Sequence, residues 1–452
     1  MSDAAPRDLS AELDDLRTRC RSFEEYLDAR LARLADLDER VRAFLPEESR
    51  RERLLRELGE LRQAFPAAVA AAAGEAGSGG GKRRPPLVGA LVGVKDLFHV
   101  EGLPTKAGSH LPPEAFAGSQ AEVVNRLRRA GALVLGKTVT TEFAYFSPGP
   151  TRNPWNLEHT PGGSSSGSAA AVAAGLTPLA LGTQTIGSVT RPAAFCGIVG
   201  FKPSLGRIPT DGIVPFSRTM DQVGLFAATV SSVATGAVVV CDNWSPRKPN
   251  AKRTLSVGLL EDAYVEQAEE SARRAVITAA ERIAAAGFGV KRLALFPNID
   301  EINALHLDLI AREFAQLHEQ WYAEYGSLYS DKSKELIKKG RAVTEARAEE
   351  ARRHAESVRP RVQQTMRQAG VSVVLSPASV GEAPAGIEAT GSPILNLPWT
   401  FFGLPTVTVP CELGPLGLPL GLQIAGYYQN DEHLIGVASA IEAALGPFRP
   451  AA

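Results

Sequence analysis

From Pro161 to Ser204 the chain reads PGGSSSGSAAAVAAGLTPLALGTQTIGSVTRPAAFCGIVGFKPS. A proline and a Gly/Ser cluster lead directly into an Ala-rich helical stretch without charge, followed by short apolar runs. Taken alone, Gly162–Ser168 has the composition of a flexible linker. Its flanks argue against that, because an uncharged helix has to be buried and the glycines therefore lie beside packed structure. Glycine there permits positive φ and the close approach of another chain or a ligand.

The same texture extends outward. From Leu87 on, short apolar runs (LVGALVGVKD, GALVLGKT, PLALGTQT) alternate with helical stretches such as AEVVNRLRRAG and SAAAVAAGL. That alternation predicts an α/β fold: a mixed, largely buried central β-sheet covered by helices on both faces. Residues 8–65 read as helices, with Phe23, Leu27, Leu31 and Leu34 at helical spacing and Pro46-Glu47-Glu48 as a second helix start. Residues 69–86 turn Gly-rich, then basic and Pro-rich, as an exposed loop does. The expected division is an N-terminal helical segment with its loop over 1–85 and an α/β unit over 86–452. Within the latter, residues 245–370 are charged and helix-rich apart from LSVGLL. VSVVLSPA, LPTVTVPCEL and PLGLQIAG then return to strand texture, and EHLIGVASAIEAAL closes as a helix.

The 452 residues carry 49 Lys and Arg against 50 Asp and Glu, a net charge of −1, so no positive field gathers nucleic acid or anionic lipid. Cys20, Cys196, Cys241 and Cys411 are far apart, which points to a reducing compartment and no structural metal. The polar, acidic N-terminus is not expected to act as a signal peptide, and no apolar run approaches the ~18 residues of a membrane span. A cytoplasmic protein acting on a small molecule is expected, without nucleic acid or membrane partner. Its state, monomer or homodimer, is open.

Two further elements carry chemistry. Thr185-Ile186-Gly187-Ser188 follows a strand-like run, and a small residue at a strand end presents its side chain beside several backbone N–H groups. An acyl-transfer nucleophile needs that arrangement, since the oxyanion forms next to the attacking oxygen; a tight turn with structural hydroxyls is the ordinary alternative. Lys95 ends the apolar run LVGALVGV, where desolvation lowers a lysine pKa and a neutral amine can take a proton from a hydroxyl. Its ordinary alternative is a lysine reaching water or pairing with Asp96 or Glu142.

Together these elements resemble the amidase signature family. Lys95 falls on the family lysine in G-V-K-D, Ser164 on the serine held by a cis peptide bond, and Ser188 on the nucleophile. FCGIVGFKPS after Ser188, and GLPTVTVPC and GLPLGLQIAG near the end, extend the resemblance over about Val88–Val230 and Val371–Leu445. It implies a Lys–cis-Ser–Ser triad that hydrolyses C–N bonds through an acyl- or carbamoyl-enzyme, with no cofactor. The N–H groups of Thr185, Ile186, Gly187 and Ser188 would form the oxyanion hole, and Ser165 is expected to hydrogen-bond Lys95. The sequence departs from the family pattern around Ser188. Gln184, Ile186 and Thr190 stand where Asp, Gly and Arg are usual, with Arg191 one place further on.

The implied activity is amidase chemistry on amides, anilides or carbamates, a urethanase included. The alternative is the glutamine-hydrolysing A subunit of a tRNA-dependent amidotransferase, and a third reading is a non-catalytic binding protein on the same scaffold. Phe143, Tyr145, Phe146, Trp399, Phe401 and Phe402 are candidates for an apolar substrate pocket, and the loop from Thr138 to Pro161 is expected to border it. Gly131–Thr138 satisfies the phosphate-loop pattern G-x-x-x-x-G-K-[ST], but a helix precedes it and its centre is itself a strand, so no N–H nest forms. The seven histidines show no H-E-x-x-H, and no metal site is expected.

Overall fold

The computed structural model describes residues 6–18, 22–66, 85–245 and 255–448. Cys20 and nearly all of the Gly-rich loop lie outside them. Three helices come first: α1 (Leu9–Thr18), α2 (Phe23–Val41) and α3 (Arg50–Ala64). There follow β1 (Leu91–Lys95), α4 (Glu122–Arg129), β2 (Leu133–Thr138), α5 (Ser166–Ala173), β3 (Leu179–Gln184), α6 (Thr190–Cys196), β4 (Val199–Lys202), β5 (Gln222–Ala227) and α7 (Val230–Val240). The next stretch holds β6 (Ser256–Leu260), α8 (Ala263–Glu266), α9 (Glu270–Ala285), β7 (Gly289–Leu293), α10 (Ile299–Leu317), α11 (Glu319–Tyr325), α12 (Asp331–Ala342) and α13 (Glu345–Ala369). The chain ends with β8 (Val373–Pro377), α14 (Leu397–Phe401), β9 (Thr406–Leu413), β10 (Pro419–Ala425) and α15 (Asp431–Leu445).

All ten strands form one sheet in the order β2-β1-β3-β5-β4-β9-β10-β8-β6-β7. It is mixed: parallel at both ends, where β1 joins β2 and β3 and where β6 joins β7 and β8, and antiparallel from β3 through to β8. Strands β1 to β5 are buried along their whole length, as helices on both faces require. Helices α3, α5 and α6 cover one face, and α4, α7, α9 and α15 the other.

The N-terminal helices protect an edge of this sheet. Leu54, Leu58 and Leu61 of α3 join Leu91, Leu133, Leu135, Ala170 and Ala171 in one hydrophobic cluster. Arg53 donates to the Val134 carbonyl oxygen at 2.8 Å and to that of Leu135 at 3.3 Å, so the open side of β2 finds donors within the chain. Lys137, from the phosphate-loop look-alike, lies inside β2 and forms a buried ion pair with Asp96 at 2.8 Å.

β7 was not anticipated. Its GVKRL sequence is only partly buried, and the charges of Lys291 and Arg292 conceal a strand that pairs in parallel with β6 at the far edge. Charge on an exposed edge strand opposes pairing with another molecule. Beyond it, α10 and α12 cross so closely that a Cβ added at Gly340 would overlap the Ala311 carbonyl oxygen. Gly340→Ala is therefore expected to destabilise the fold by about 1–3 kcal/mol, the usual cost of overpacking, read as a lower midpoint in urea unfolding with the slope unchanged.

Candidate active site

Lys95 closes β1 and is completely buried. Its Nζ lies 2.8 Å from Ser164 Oγ and 2.7 Å from Thr183 Oγ1. Neither Asp96 nor Glu142 pairs with it: Asp96 holds Lys137, and Glu142 accepts hydrogen bonds from Ser330 and Ser333 at the start of α12. With no described carboxylate at ion-pair distance, desolvation drives the Lys95 pKa well below the ordinary lysine value; the charge of Asp221 opposes this from further away.

Ser164 precedes α5, and the Gly163–Ser164 peptide bond is cis. The expected Ser165–Lys95 bond is not formed. Ser165 Oγ instead donates to the Thr183 carbonyl oxygen at 3.2 Å and accepts from the Thr183 N–H at 3.3 Å. Ser165 thus holds the backbone of the residue whose hydroxyl reaches Lys95, and Thr183 takes the role expected of Ser165. Gly182 keeps this arrangement open, because a Cβ there would lie 2.8 Å from Ser165 Oγ.

Ser188 follows β3 and lies two residues before α6. Ser164, Ile186, Ser188, Arg191 and Pro393 line one small cavity together with Ala144, Tyr145 and Phe146. The serines face this shared space without a hydrogen bond to each other. It has a volume of about 10 Å³, room for roughly one water.

The turn beside Ser188 has its carbonyls tied and its amides free. His306 of α10 donates from Nε2 to the Thr185 oxygen at 2.9 Å, Thr400 Oγ1 donates to the Ile186 oxygen at 2.7 Å, and the Arg191 N–H donates to the Gly187 oxygen at 3.1 Å. The N–H groups of Ile186, Gly187 and Ser188 have no acceptor among the described residues. A developing oxyanion needs that disposition. Gly187 is required because a Cβ would overlap Asn396 Oδ1. Gln184 resolves the departure from the usual pattern. Its Oε1 accepts from the N–H groups of Val189 and Thr190 and from Thr190 Oγ1 at 2.8, 3.0 and 3.1 Å, while its Nε2 donates to Thr400. A neutral Gln–Thr pair stands where the Asp and Arg positions would carry an ion pair.

Of the aromatic candidates, Tyr145 and Phe146 reach the cavity. They also wall an outer cavity of about 340 Å³ with Lys332, Glu335, Ala389, Thr390 and Gly391, so the loop after β2 does border the cleft. Phe143 does not. It is buried against Phe116, Phe314, His318 and Tyr329, and its positive φ, like that of Ala144, turns the chain so that Tyr145 and Phe146 face the cleft. Trp399, Phe401 and Phe402 are fully buried core. Trp399 Nε1 donates to Tyr264 OH at 2.8 Å, Phe402 stacks on Phe296, and Phe401 stacks on His306.

Residues 42–435 match the Amidase family. The chain belongs to that family. It is 32% identical over 476 residues to the glutamyl-tRNA(Gln) amidotransferase A subunit of Anaeromyxobacter sp. (strain K), covering 94% of each chain. Its fold matches a crystal structure of an amidase with a TM-score of 0.82 at 30% identity, covering 97% of this chain and 100% of that one. The peptide amidase of Stenotrophomonas maltophilia matches with a TM-score of 0.80 at 26% identity, covering 98% of both chains. The protein is thus an amidase-family enzyme acting on C–N bonds. Among the described residues, no helix is long and apolar enough to cross a membrane.

Thr183, Asp221, His306 and Thr400 were not anticipated as site residues, and no local motif marks them. His306 is fully buried, and desolvation lowers its pKa to about 4, so it remains neutral. His306→Phe keeps a ring on Phe401 but removes the donor to Thr185. We expect kcat to fall about 10- to 100-fold with KM little changed, as for a misplaced reacting geometry; steady-state kinetics on an anilide measures both.

Asp221 gives a pH prediction. Part of the residue reaches the surface, yet its carboxylate is desolvated enough to raise its pKa to about 6, against hydrogen bonds from Thr185 Oγ1 and the N–H groups of Ser217 and Phe216. The ionised carboxylate favours the protonated form of Lys95. Asp221→Asn removes that influence and should move the acid limb of the kcat/KM profile to lower pH. A limb moving to higher pH would show that Asp221 does not act on the base.

Proposed function

We propose that the protein is a serine hydrolase that cleaves C–N bonds of amides, anilides or carbamates through Ser188, Ser164 and Lys95. One observation carries this reading: a fully buried lysine, without a carboxylate partner among the described residues, lies 2.8 Å from Ser164 Oγ, and Ser164 shares a cavity with Ser188. A neutral amine has two N–H donors and one lone pair. Donation to Thr183 leaves the lone pair for the Ser164 proton, and Ser164 in turn receives the proton of Ser188 as its oxygen attacks the carbonyl. The Ser188–Ser164 link closes when substrate engages the nucleophile, as apo hydrogen bonds often do. The free N–H groups of Ile186, Gly187 and Ser188, with that of Thr185 at the strand end, receive the oxyanion. The proton returns through Ser164 to the leaving amine, and water then hydrolyses the acyl- or carbamoyl-enzyme. Tyr145 and Phe146 must yield for substrate to reach so small a space, and the outer cavity beyond them accommodates the rest of the molecule.

A second reading is supported by the 32% identity to the glutamyl-tRNA(Gln) amidotransferase A subunit over nearly the whole length of both chains. On that reading the chain hydrolyses glutamine and passes ammonia to a partner. Tests on the isolated chain with p-nitroanilides, aryl carbamates, primary amides and glutamine separate the two: anilide or carbamate turnover without glutamine supports hydrolysis, and strict dependence on glutamine supports the second.

Ser188→Ala should lower turnover by at least about 10³-fold and abolish labelling by a fluorophosphonate. Lys95→Arg should do no better than Lys95→Ala, because a guanidinium stays protonated. Activity should rise with pH through the depressed Lys95 pKa, since only the neutral amine accepts the proton. Near-wild-type turnover by Lys95→Arg would overturn the relay.

A further inference from the structure

Arg191 is the second residue of α6, and only 2% of it is exposed. It lines the cavity shared by Ser164 and Ser188. A guanidinium has five N–H donors. Three bonds are made here: Nη1 to the Gly391 oxygen, and Nη2 to the Gly163 oxygen at 2.6 Å and Thr390 Oγ1 at 3.2 Å. Every one of these acceptors is neutral. Nε–H has no acceptor among the described residues, and no described carboxylate lies at ion-pair distance from the group. The ring of Phe146 stands over the guanidinium, 6.0 Å from ring centroid to Cζ, and offers weak compensation on that side.

Elsewhere in this protein, buried guanidinium groups have carboxylate partners. Arg30 meets Glu12 at 2.9 Å, Arg53 meets Glu47 at 2.6 Å, and Arg207 meets Glu432 at 2.7 Å. An unpaired buried charge is costly, and an arginine does not shed its proton as Lys95 can. Burial alone acts on Arg191, lowering its pKa to about 9 with no acid group opposing it, so at neutral pH it remains a cation. The charged residues of the outer cavity, Lys332 and Glu335, are exposed and of opposite sign, and neutralise nothing at this depth.

We propose that Arg191 is a specificity-determining residue whose missing counter-charge is supplied by the substrate, so that the preferred amide or carbamate carries a carboxylate close to its scissile bond. This rests on the cleft at Ser188 being the reaction site. Substrate entry displaces Phe146 from the guanidinium, and the carboxylate takes its place against Nε–H. The bonds to Gly163, Thr390 and Gly391 hold the group ready, which keeps the ordering cost of binding low.

The test compares each acid with its methyl ester. N-(4-nitrophenyl)succinamate carries the carboxylate on the acyl side, and hippurate carries it on the amine side. Binding is measured by titration calorimetry on the Ser188→Ala chain, so that it does not depend on turnover, and kcat/KM is measured on the intact enzyme. In at least one pair the acid should bind at least tenfold more tightly than its ester, and Arg191→Gln should abolish that difference while Arg191→Lys keeps part of it. If neither acid is preferred, or if the preference survives Arg191→Gln, the assignment fails. It also fails if Arg191→Gln weakens acid and ester equally, since the residue then only ties Gly163 and Gly391. Should Arg191→Gln not fold, the acid-to-ester ratio of the Arg191-intact chain and of Arg191→Lys decides. Arg191-dependent acid binding without hydrolysis of any substrate in the panel would sink the hydrolase reading, and with it Arg191 as a specificity residue, leaving only a carboxylate-binding site at Arg191.

Discussion

An ammonium group carried into a dry interior without a partner costs several kcal/mol, and much of this structure follows from that cost at Lys95. The amine sits at the end of a strand buried on both faces, between two hydroxyls and with no described carboxylate at ion-pair distance. Burial there favours the neutral form. The sheet supplies the burial, the Gly/Ser segment supplies Ser164, and Thr183 on the neighbouring strand supplies the acceptor that orients the lone pair. Ser165 fixes Thr183 through its backbone, and Gly182 leaves the room for that contact. A sheet with an exposed face at β1 would hydrate the amine and restore its charge.

The turn after β3 obeys a complementary constraint. Backbone amides can face a substrate only if their carbonyls are satisfied elsewhere, because an unpaired buried polar group is costly. Those carbonyls are met from two distant parts of the chain, His306 in the helix-rich stretch and Thr400 near the C-terminus, and from Arg191 in the helix just beyond the turn. The helices after β7 therefore do more than decorate the sheet. α10 delivers His306 to the turn, and the Ser330 and Ser333 hydroxyls at the start of α12 meet Glu142 in the loop that presents Tyr145 and Phe146.

These two constraints determine what could be read from the sequence. The mixed sheet was legible because an uninterrupted apolar run of strand length, ending in Lys or passing into a Gly-Ser cluster, fits a buried strand far better than an exposed segment. Lys95 and Ser164 stand 69 residues apart in sequence and were grouped through the family resemblance; the structure brings them within 2.8 Å. Legibility failed where chemistry gives no local sign. Trp399 and Phe402 have the same composition as pocket-lining residues, and only their contacts with Tyr264 and Phe296 mark them as core. Ser165 carries the hydroxyl expected near Lys95, but its backbone position directs it to Thr183. β7 was hidden because charges on an edge strand oppose aggregation and mask the apolar alternation at once. The Gln184–Thr190 exchange was visible as a departure, yet its meaning needed the third partner, Thr400, 216 residues away in sequence.

Asp221 links Lys95 to the turn after β3. Its carboxylate accepts the Thr185 hydroxyl at 2.5 Å on one oxygen and the N–H groups of Phe216 and Ser217 on the other, while its charge acts on Lys95. A carboxylate in contact with the amine would hold it as an ammonium, and the proposed relay would have no acceptor. A site without any anion would leave the Thr185 side chain and the 216–217 backbone without their acceptor. Distance reconciles the two demands: the hydrogen bonds are short-ranged and saturate the carboxylate locally, while its Coulomb effect on Lys95 is too weak to reverse the consequence of burial. The same anion can therefore order the turn after β3 and still leave the neighbouring lysine able to take the part proposed for it.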